Sequence, residues 1–100
     1  MIKHIVMWKL KENAEGNSKA DNAKIIKRDL EALVGQVDVI RHLEVGINIK
    51  EDSQNYDVVL VSDFDNMEDL SKYANDERHL KVVKFVKKVV EDRIAVDYTF

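Results

Sequence analysis

Histidine is the side chain whose charge changes near neutral pH, so it can accept or donate a proton there. The position of His79 in the sequence makes it a candidate for such a role. On a helix, His79 would share one face with the apolar residues that follow three, four and seven positions later: Val82, Val83 and Val86. That face would point toward a core. Two roles are therefore open for His79, a packed core histidine with one hydrogen bond and a general acid or base in a cleft.

Two further side chains could complete such a cleft. His4 alternates in phase with Val6 and Trp8, so these three residues lie on one face of a strand. If that face meets the helices, His4 and Tyr73 converge with His79. An imidazole could then move a proton while the Tyr73 hydroxyl hydrogen-bonds a carbonyl or enolate oxygen. Each residue also has a structural interpretation: Tyr73 could close the core, His4 could anchor its strand and Trp8 could fill space.

Composition and charge argue against several other classes of protein. The 16 Lys and Arg residues against 19 Asp and Glu give a net charge of -3, which offers no general attraction to nucleic acid or to an anionic membrane. The absence of cysteine excludes disulfides and thiolate chemistry and is typical of a reducing compartment, so we expect a cytoplasmic location. No export signal and no membrane span are predicted.

The sequence predicts no cofactor. The histidines His4, His42 and His79 are scattered and show no metal-ligand spacing. Acidic residues after the third strand could attract a cation, but Asp65 and Asn66 are better explained as helix caps. The three glycines lie far apart, so no phosphate-binding loop is predicted.

The apolar periodicity predicts the order strand, helix, strand, strand, helix, strand. Strands are expected at residues 2–10, 39–49, 56–64 and 93–100, with a turn at 50–55. The first helix should begin at Ser18, which can cap it together with Asp21, and end near Gly35. The second helical region should break near residues 75–76. This order is that of a ferredoxin-like α+β fold, so we expect residues 1–100 to form one domain with a four-stranded antiparallel sheet and helices on one face.

The face of the sheet away from the helices is also predicted to be apolar. Its expected members are Ile5, Met7, Val59, Val61 and Ala95. An antiparallel sheet with one face in water usually carries polar residues there, and burying an apolar side chain contributes roughly 1.5–3 kcal/mol. We therefore expect a homodimer in which this face of one copy covers the same face of another.

Three segments of the chain resemble a known family. They are Ile-Lys-His-Ile-Val at 2–6, the segment 73–79, and Val-Asp-Tyr-Thr at 96–99, and their order is similar to that of the stress-responsive A/B barrel domain family. The resemblance implies a dimeric α/β barrel and a cleft lined from the first helix by Ala23 and Ile26. It also aligns Tyr73 and His79 with the Tyr and His pair of a plant member that closes a polyketide ring without a cofactor.

Two functions are predicted from these observations. The first is a homodimeric barrel protein of the stress-response type that binds or sequesters a small, largely apolar molecule between sheet and helices. The residues expected to line its site are His4, Val6, Trp8, Ala23, Ile26, Val83 and Val86. The alternative is a cofactor-independent cyclase, lyase or monooxygenase-like enzyme that uses His79 and Tyr73 as an acid-base pair. A haem-degrading relative that presents His79 to iron is a third interpretation.

Overall fold

The computed structural model describes residues 1–52 and 54–100, and within them an antiparallel sheet is covered on one face by helices. In chain order the elements are β1 (Ile2–Leu10), β2 (Asn13–Ala14), β3 (Asn17–Ser18), α1 (Lys19–Glu31), β4 (His42–Ile47), β5 (Val58–Phe64), α2 (Met67–Asn75), α3 (Glu77–Val89) and β6 (Val90–Thr99). The four long strands have the order β4-β5-β1-β6, and β2 and β3 form a small hairpin. The predicted ferredoxin-like α+β fold is confirmed.

The start of α1 follows from a local signal in the sequence. The Ser18 hydroxyl accepts a hydrogen bond from the backbone N–H of Asp21 at 3.2 Å, which satisfies one free donor of the first turn. The helix ends at Glu31, earlier than predicted, and Gly35 lies in a later turn with a φ of +86°. The backbone N–H groups of Leu33 and Val34 donate to carbonyls three residues back, so the chain has already tightened into turns before it reaches Gly35.

Three strands differ in extent from the predicted ones, and the smallest difference is that β5 begins at Val58 and not at residue 56. β4 begins at His42 and ends at Ile47, which pairs with the first residue of β5, and Ile49 is left 98% exposed. The Asn48 N–H still donates to the Asp57 carbonyl at 2.9 Å, and the strand ends where this ladder ends, since the ladder supplies the partners of its backbone groups. β6 begins at Val90, directly after α3. The predicted turn at 50–55 includes Ser53, which lies outside the described residues.

Strand register decides which side chains of the sheet face the helices. Residues directly opposite each other on β1 and its neighbours share one face. The face in contact with the helices carries Val6, Trp8 and Leu10, which are buried in the core. Ala95 is paired with Val6 and therefore lies on this face, so its predicted position on the opposite face is wrong. The error is one of phase, because alternation along a strand does not say which set of side chains meets the core.

We call the side of the sheet away from the helices the open face. Its apolar side chains include Ile5, Met7, Val59, Val61, Ile94 and Val96. The first four are partly buried by their neighbours in the sheet, whereas Ile94 and Val96 on β6 are 43% and 53% exposed. Exposed apolar side chains grouped on one face are typical of interaction sites.

Candidate functional site

A cavity of about 560 Å³ lies between the helices and the face of the sheet that carries Val6. Its wall takes residues from β1, β5, β6 and the three helices, and most of them are apolar. The following predicted site residues line it: His4, Val6, Trp8, Tyr73, His79, Val83 and Val86. The structure therefore brings the two histidines and the tyrosine together around one space.

Ala23 and Ile26 do not line this cavity, contrary to the expectation from the family resemblance. Ile26 is fully buried in the core, and Ala23 borders a different depression beside Ile47. From α1, Leu30 reaches the cavity. The cavity thus lies against the C-terminal end of α1, while residues in the middle of that helix pack elsewhere in the core.

Tyr73 belongs to the apolar stripe of α2 and is only 1% exposed. Its ring centroid lies 5.1 Å from that of Phe64 and 4.3 Å from that of His79. Its hydroxyl is buried and has no hydrogen-bond partner among the described residues. Because burial disfavours the phenolate, the pKa of Tyr73 is raised well above its ordinary value. The phenol therefore stays protonated at neutral pH and can act as a hydrogen-bond donor.

His79 lies in the first turn of α3 and is partly buried. Its Nδ1 is 3.1 Å from the backbone carbonyl oxygen of Ala74. Since a carbonyl only accepts hydrogen bonds, Nδ1 carries the proton and Nε2 keeps a free lone pair. Burial lowers the pKa of His79 below its ordinary value of 6.5 and outweighs the hydrogen bond with the Ala74 carbonyl, which acts in the opposite direction. A neutral imidazole with an available Nε2 can accept a proton from a bound molecule.

Asp76 lies at the break between α2 and α3 and fixes how Tyr73 and His79 are placed relative to each other. Asp76 ends α2, where its backbone N–H donates to the Tyr73 carbonyl at 3.2 Å. It also caps α3, where its carboxylate accepts from the backbone N–H of Arg78 at 2.8 Å. Hydrogen bonds from Arg78 lower the pKa of Asp76 to about 2, so this cap remains ionised at neutral pH.

His4 is held by a partner on β6. Its Nδ1 is hydrogen-bonded to the carboxylate of Asp97, which lies directly opposite in the strand register. The backbone carbonyl of His4 accepts a hydrogen bond from Ser62 Oγ at 3.1 Å. The carboxylate orients the imidazole and favours the tautomer with the proton on Nδ1.

Sequence analysis missed three charged residues of the cavity wall, Lys87 of α3 and the β6 residues Arg93 and Asp97. Arg93 and Asp97 lie opposite Trp8 and His4 of β1. Their even spacing with Ala95 does indicate that the three share one face of a strand. The spacing therefore groups these residues on one face, but the sequence alone does not say whether that face of the last strand meets the helices.

Within 1–52 and 54–100, no three His, Asp or Glu side chains are grouped so that they could hold a metal ion. In the same ranges, none of the helices has the length and apolar character needed to span a membrane.

The sequence was compared with models of known protein families. Residues 2–100 match the family model described as the Stress responsive A/B Barrel Domain. The chain belongs to the stress-responsive A/B barrel domain family. The resemblance noted in the three short segments is thereby confirmed. Among curated proteins, no match to this A/B barrel protein was found.

Solved structures of similar chains support the same conclusion for the A/B barrel fold. A dimeric protein of unknown function and ferredoxin-like fold from Bacteroides fragilis is 34% identical, with a TM-score of 0.89 over 99% of this chain and 95% of that chain. A dimeric ferredoxin-like protein of unknown function from Thermobifida fusca is 19% identical, with a TM-score of 0.83 over 99% and 90%. The hydroxynitrile lyase from Passiflora edulis is 17% identical, with a TM-score of 0.78 over 99% and 95%. The last two similarities show a shared fold.

Proposed function

We propose that this A/B barrel protein binds a small, largely apolar molecule in the cavity between sheet and helices. The observation that carries the proposal is a cavity of about 560 Å³ whose mostly apolar wall includes Tyr73, with a buried hydroxyl unpartnered among the described residues. Ligand pockets typically combine an apolar lining with a few polar groups that orient the ligand. An unsatisfied buried hydroxyl costs about 1–3 kcal/mol, and a ligand oxygen that accepts from it would remove that cost.

The polar groups of the cavity favour a ligand with an oxygen-containing group. The Tyr73 hydroxyl can donate a hydrogen bond, and Nε2 of the neutral His79 can accept one. A ligand hydroxyl could satisfy both groups, whereas a carbonyl could satisfy the first. The rest of the molecule would contact Trp8 and the valines of α3 that line the same space.

The proposal includes a homodimer in which two open faces cover each other. Ile94 and Val96 leave apolar surface exposed on this face, and covering it is favourable by roughly 25 cal/mol per Å². The Bacteroides fragilis protein, 34% identical over 99% of this chain, is described as dimeric. Two sheets packed in this way would form a barrel with the helices outside.

Native mass spectrometry of the protein purified from its native host tests the binding proposal. We expect an adduct of small-molecule mass that is released when the protein unfolds. Val83→Trp should abolish the adduct because the new indole occupies the cavity. Lys84→Trp places the same side chain at an exposed neighbouring position outside the cavity wall and should retain it. A folded Val83→Trp variant with an undiminished adduct, or a wild-type protein without one, would count against binding in this cavity.

A second candidate function, cofactor-independent acid-base catalysis, is favoured by the contact between Tyr73 and His79. Nε2 of His79 would remove a proton from the carbon next to a carbonyl, and the electron pair would move onto the carbonyl oxygen. The Tyr73 hydroxyl would hydrogen-bond that oxygen as charge develops, and the His79 imidazolium would return the proton to the product. The hydroxynitrile lyase from Passiflora edulis supports an enzymatic role only in that it is an enzyme on this fold.

Deuterium exchange into phenylacetone, followed by NMR, separates the catalytic function from binding alone. An acid-base enzyme should accelerate exchange of the protons next to the carbonyl, and His79→Gln should lower that rate by about 10²–10⁴-fold. His42→Gln removes a histidine that does not line the cavity and should keep the wild-type rate. Binding of the ketone without faster exchange would leave the binding function and remove the catalytic one.

A further inference from the structure

Two cationic side chains line the cavity, Arg93 from β6 and Lys87 from α3. Neither forms a hydrogen bond or an ion pair with another described residue. Several other cations of the protein are already paired with carboxylates, as Lys27 is with Glu31 and Arg41 with Asp65. Arg93 and Lys87 thus have charges available to a bound molecule.

Arg93 and Lys87 lie on either side of the junction between α3 and β6. Lys87 lies in the last turn of α3, which runs directly into β6, and Arg93 is the fourth residue of that strand. Asp97, the acidic residue of the wall, lies four residues further along the same face, so the backbones at the two positions are about 13 Å apart. The Asp97 carboxylate is also engaged by His4. The end near Arg93 therefore has a net positive charge that no acidic residue of the wall offsets.

Arg93 is exposed to solvent and borders the cavity on the face of the sheet that meets the helices. Arg93 is paired with Trp8, whose side chain is buried in the core on the same face of the sheet. The charge of Arg93 also contributes to lowering the pKa of His79, which requires that the two groups lie within electrostatic range.

We propose that the ligand of this cavity carries a carboxylate, which binds at Arg93 and Lys87 while the apolar body lies along Trp8 and the α3 valines. This inference rests on the proposed binding function and names the chemical class of its ligand. The guanidinium of Arg93 matches a carboxylate in shape and charge and can bind both oxygens. Lys87 adds a second charge without demanding a fixed geometry.

The fluorescence of Trp8 can report ligand binding, because Trp8 is the only tryptophan of the chain and lines the cavity. Decanoate and decanol have the same apolar chain and differ in the charged group, so their titrations against Trp8 fluorescence isolate its contribution. At neutral pH we expect decanoate to bind at least about tenfold more tightly than decanol, with a preference that weakens as salt is added. Arg93→Gln should remove most of the preference, and Lys87→Gln should reduce it.

Lys84→Gln is the matched control, since it removes one positive charge from an exposed site on α3 that does not line the cavity. It should leave both affinities unchanged. The carboxylate proposal would be overturned if decanoate and decanol bound equally well, or if the preference for decanoate persisted in the double variant Arg93→Gln/Lys87→Gln. Either result would leave the cavity as a binding site. Failure of both probes to bind would contradict the proposed function itself.

Discussion

The rings of Tyr73 and His79 are in contact, with centroids 4.3 Å apart and planes tilted by 43°. The two residues belong to different helices, and the contact exists because the chain breaks at Asp76 between them. Burial acts on both in the direction of neutrality, raising the pKa of Tyr73 and lowering that of His79. The cavity therefore has a donor and an acceptor that are both uncharged at neutral pH.

The Tyr73 hydroxyl should matter for the ligand and not for the fold. Tyr73→Phe keeps the ring packed against Phe64 and removes a buried hydroxyl that has no partner among the described residues. We expect the free energy of unfolding in urea to stay the same or to rise by about 1 kcal/mol, because an unsatisfied polar group is lost.

Tyr73→Ala is the control for this prediction, since it removes the ring as well. It should lower the free energy of unfolding by about 3–5 kcal/mol, as expected for a large side chain deleted from a core. If Tyr73→Phe were itself as destabilising as this, the hydroxyl would have a structural partner and the ligand role would be lost.

The buried state of His79 predicts a dependence of stability on pH. Because its pKa is lowered in the folded protein, the unfolded chain binds more protons at pH values just below 6.5, so the free energy of unfolding should fall as the pH drops through that range. His79→Gln should reduce this loss, measured by urea unfolding between about pH 5 and pH 8.

His42→Gln provides the comparison for the pH series, because His42 is an exposed histidine of β4 outside the cavity wall. The free energy of unfolding of the His42→Gln variant should depend on pH in the same way as that of the wild type. A His79→Gln variant whose stability declines as steeply as that of the wild type would show that His79 is not the group responsible.

The open face should hold the proposed homodimer together. Val96→Glu places a charge on this face, where an unpaired buried charge costs several kcal/mol, so we expect monomers in sedimentation or light scattering. Val34→Glu is matched in residue type and exposure, 50% against 53%, but lies in the turn after α1 and should remain dimeric. Dissociation of both variants, or of neither, would contradict an interface at the open face.

The start of α2 depends on Asn66 and not on Asp65, although the sequence allows either residue to cap the helix. The Asn66 side chain accepts from the backbone N–H of Asp69 at 2.8 Å, whereas Asp65 pairs with Arg41. Asn66→Ala should therefore lower the free energy of unfolding by about 1 kcal/mol, while Asn66→Asp keeps the acceptor and should be neutral. Equal losses for both variants in urea unfolding would argue against a capping role.

Much of this protein is determined by its sequence, because the deciding signals are local. The alternation in residues 2–10 defines β1, and the hydroxyl of Ser18 sets the start of α1. The spacing of His79 from the valines of α3 places its side chain toward the sheet, and the structure has it in the cavity wall beside Tyr73. Periodicity and capping act within one or two turns of the chain, so they can be recognised without knowledge of the fold.

Which residues of β6 and α1 lie toward the cavity was decided by the tertiary structure alone. Pairing of β6 with β1 puts Arg93, Ala95 and Asp97 on the helix side, and the position of α1 across the sheet brings Leu30, not Ala23 or Ile26, to the cavity. Alternation tells which residues of a strand share a face, but the register with a distant strand tells which face that is. The angle at which a helix crosses the sheet is likewise set by long-range packing, which leaves no periodic trace in the sequence.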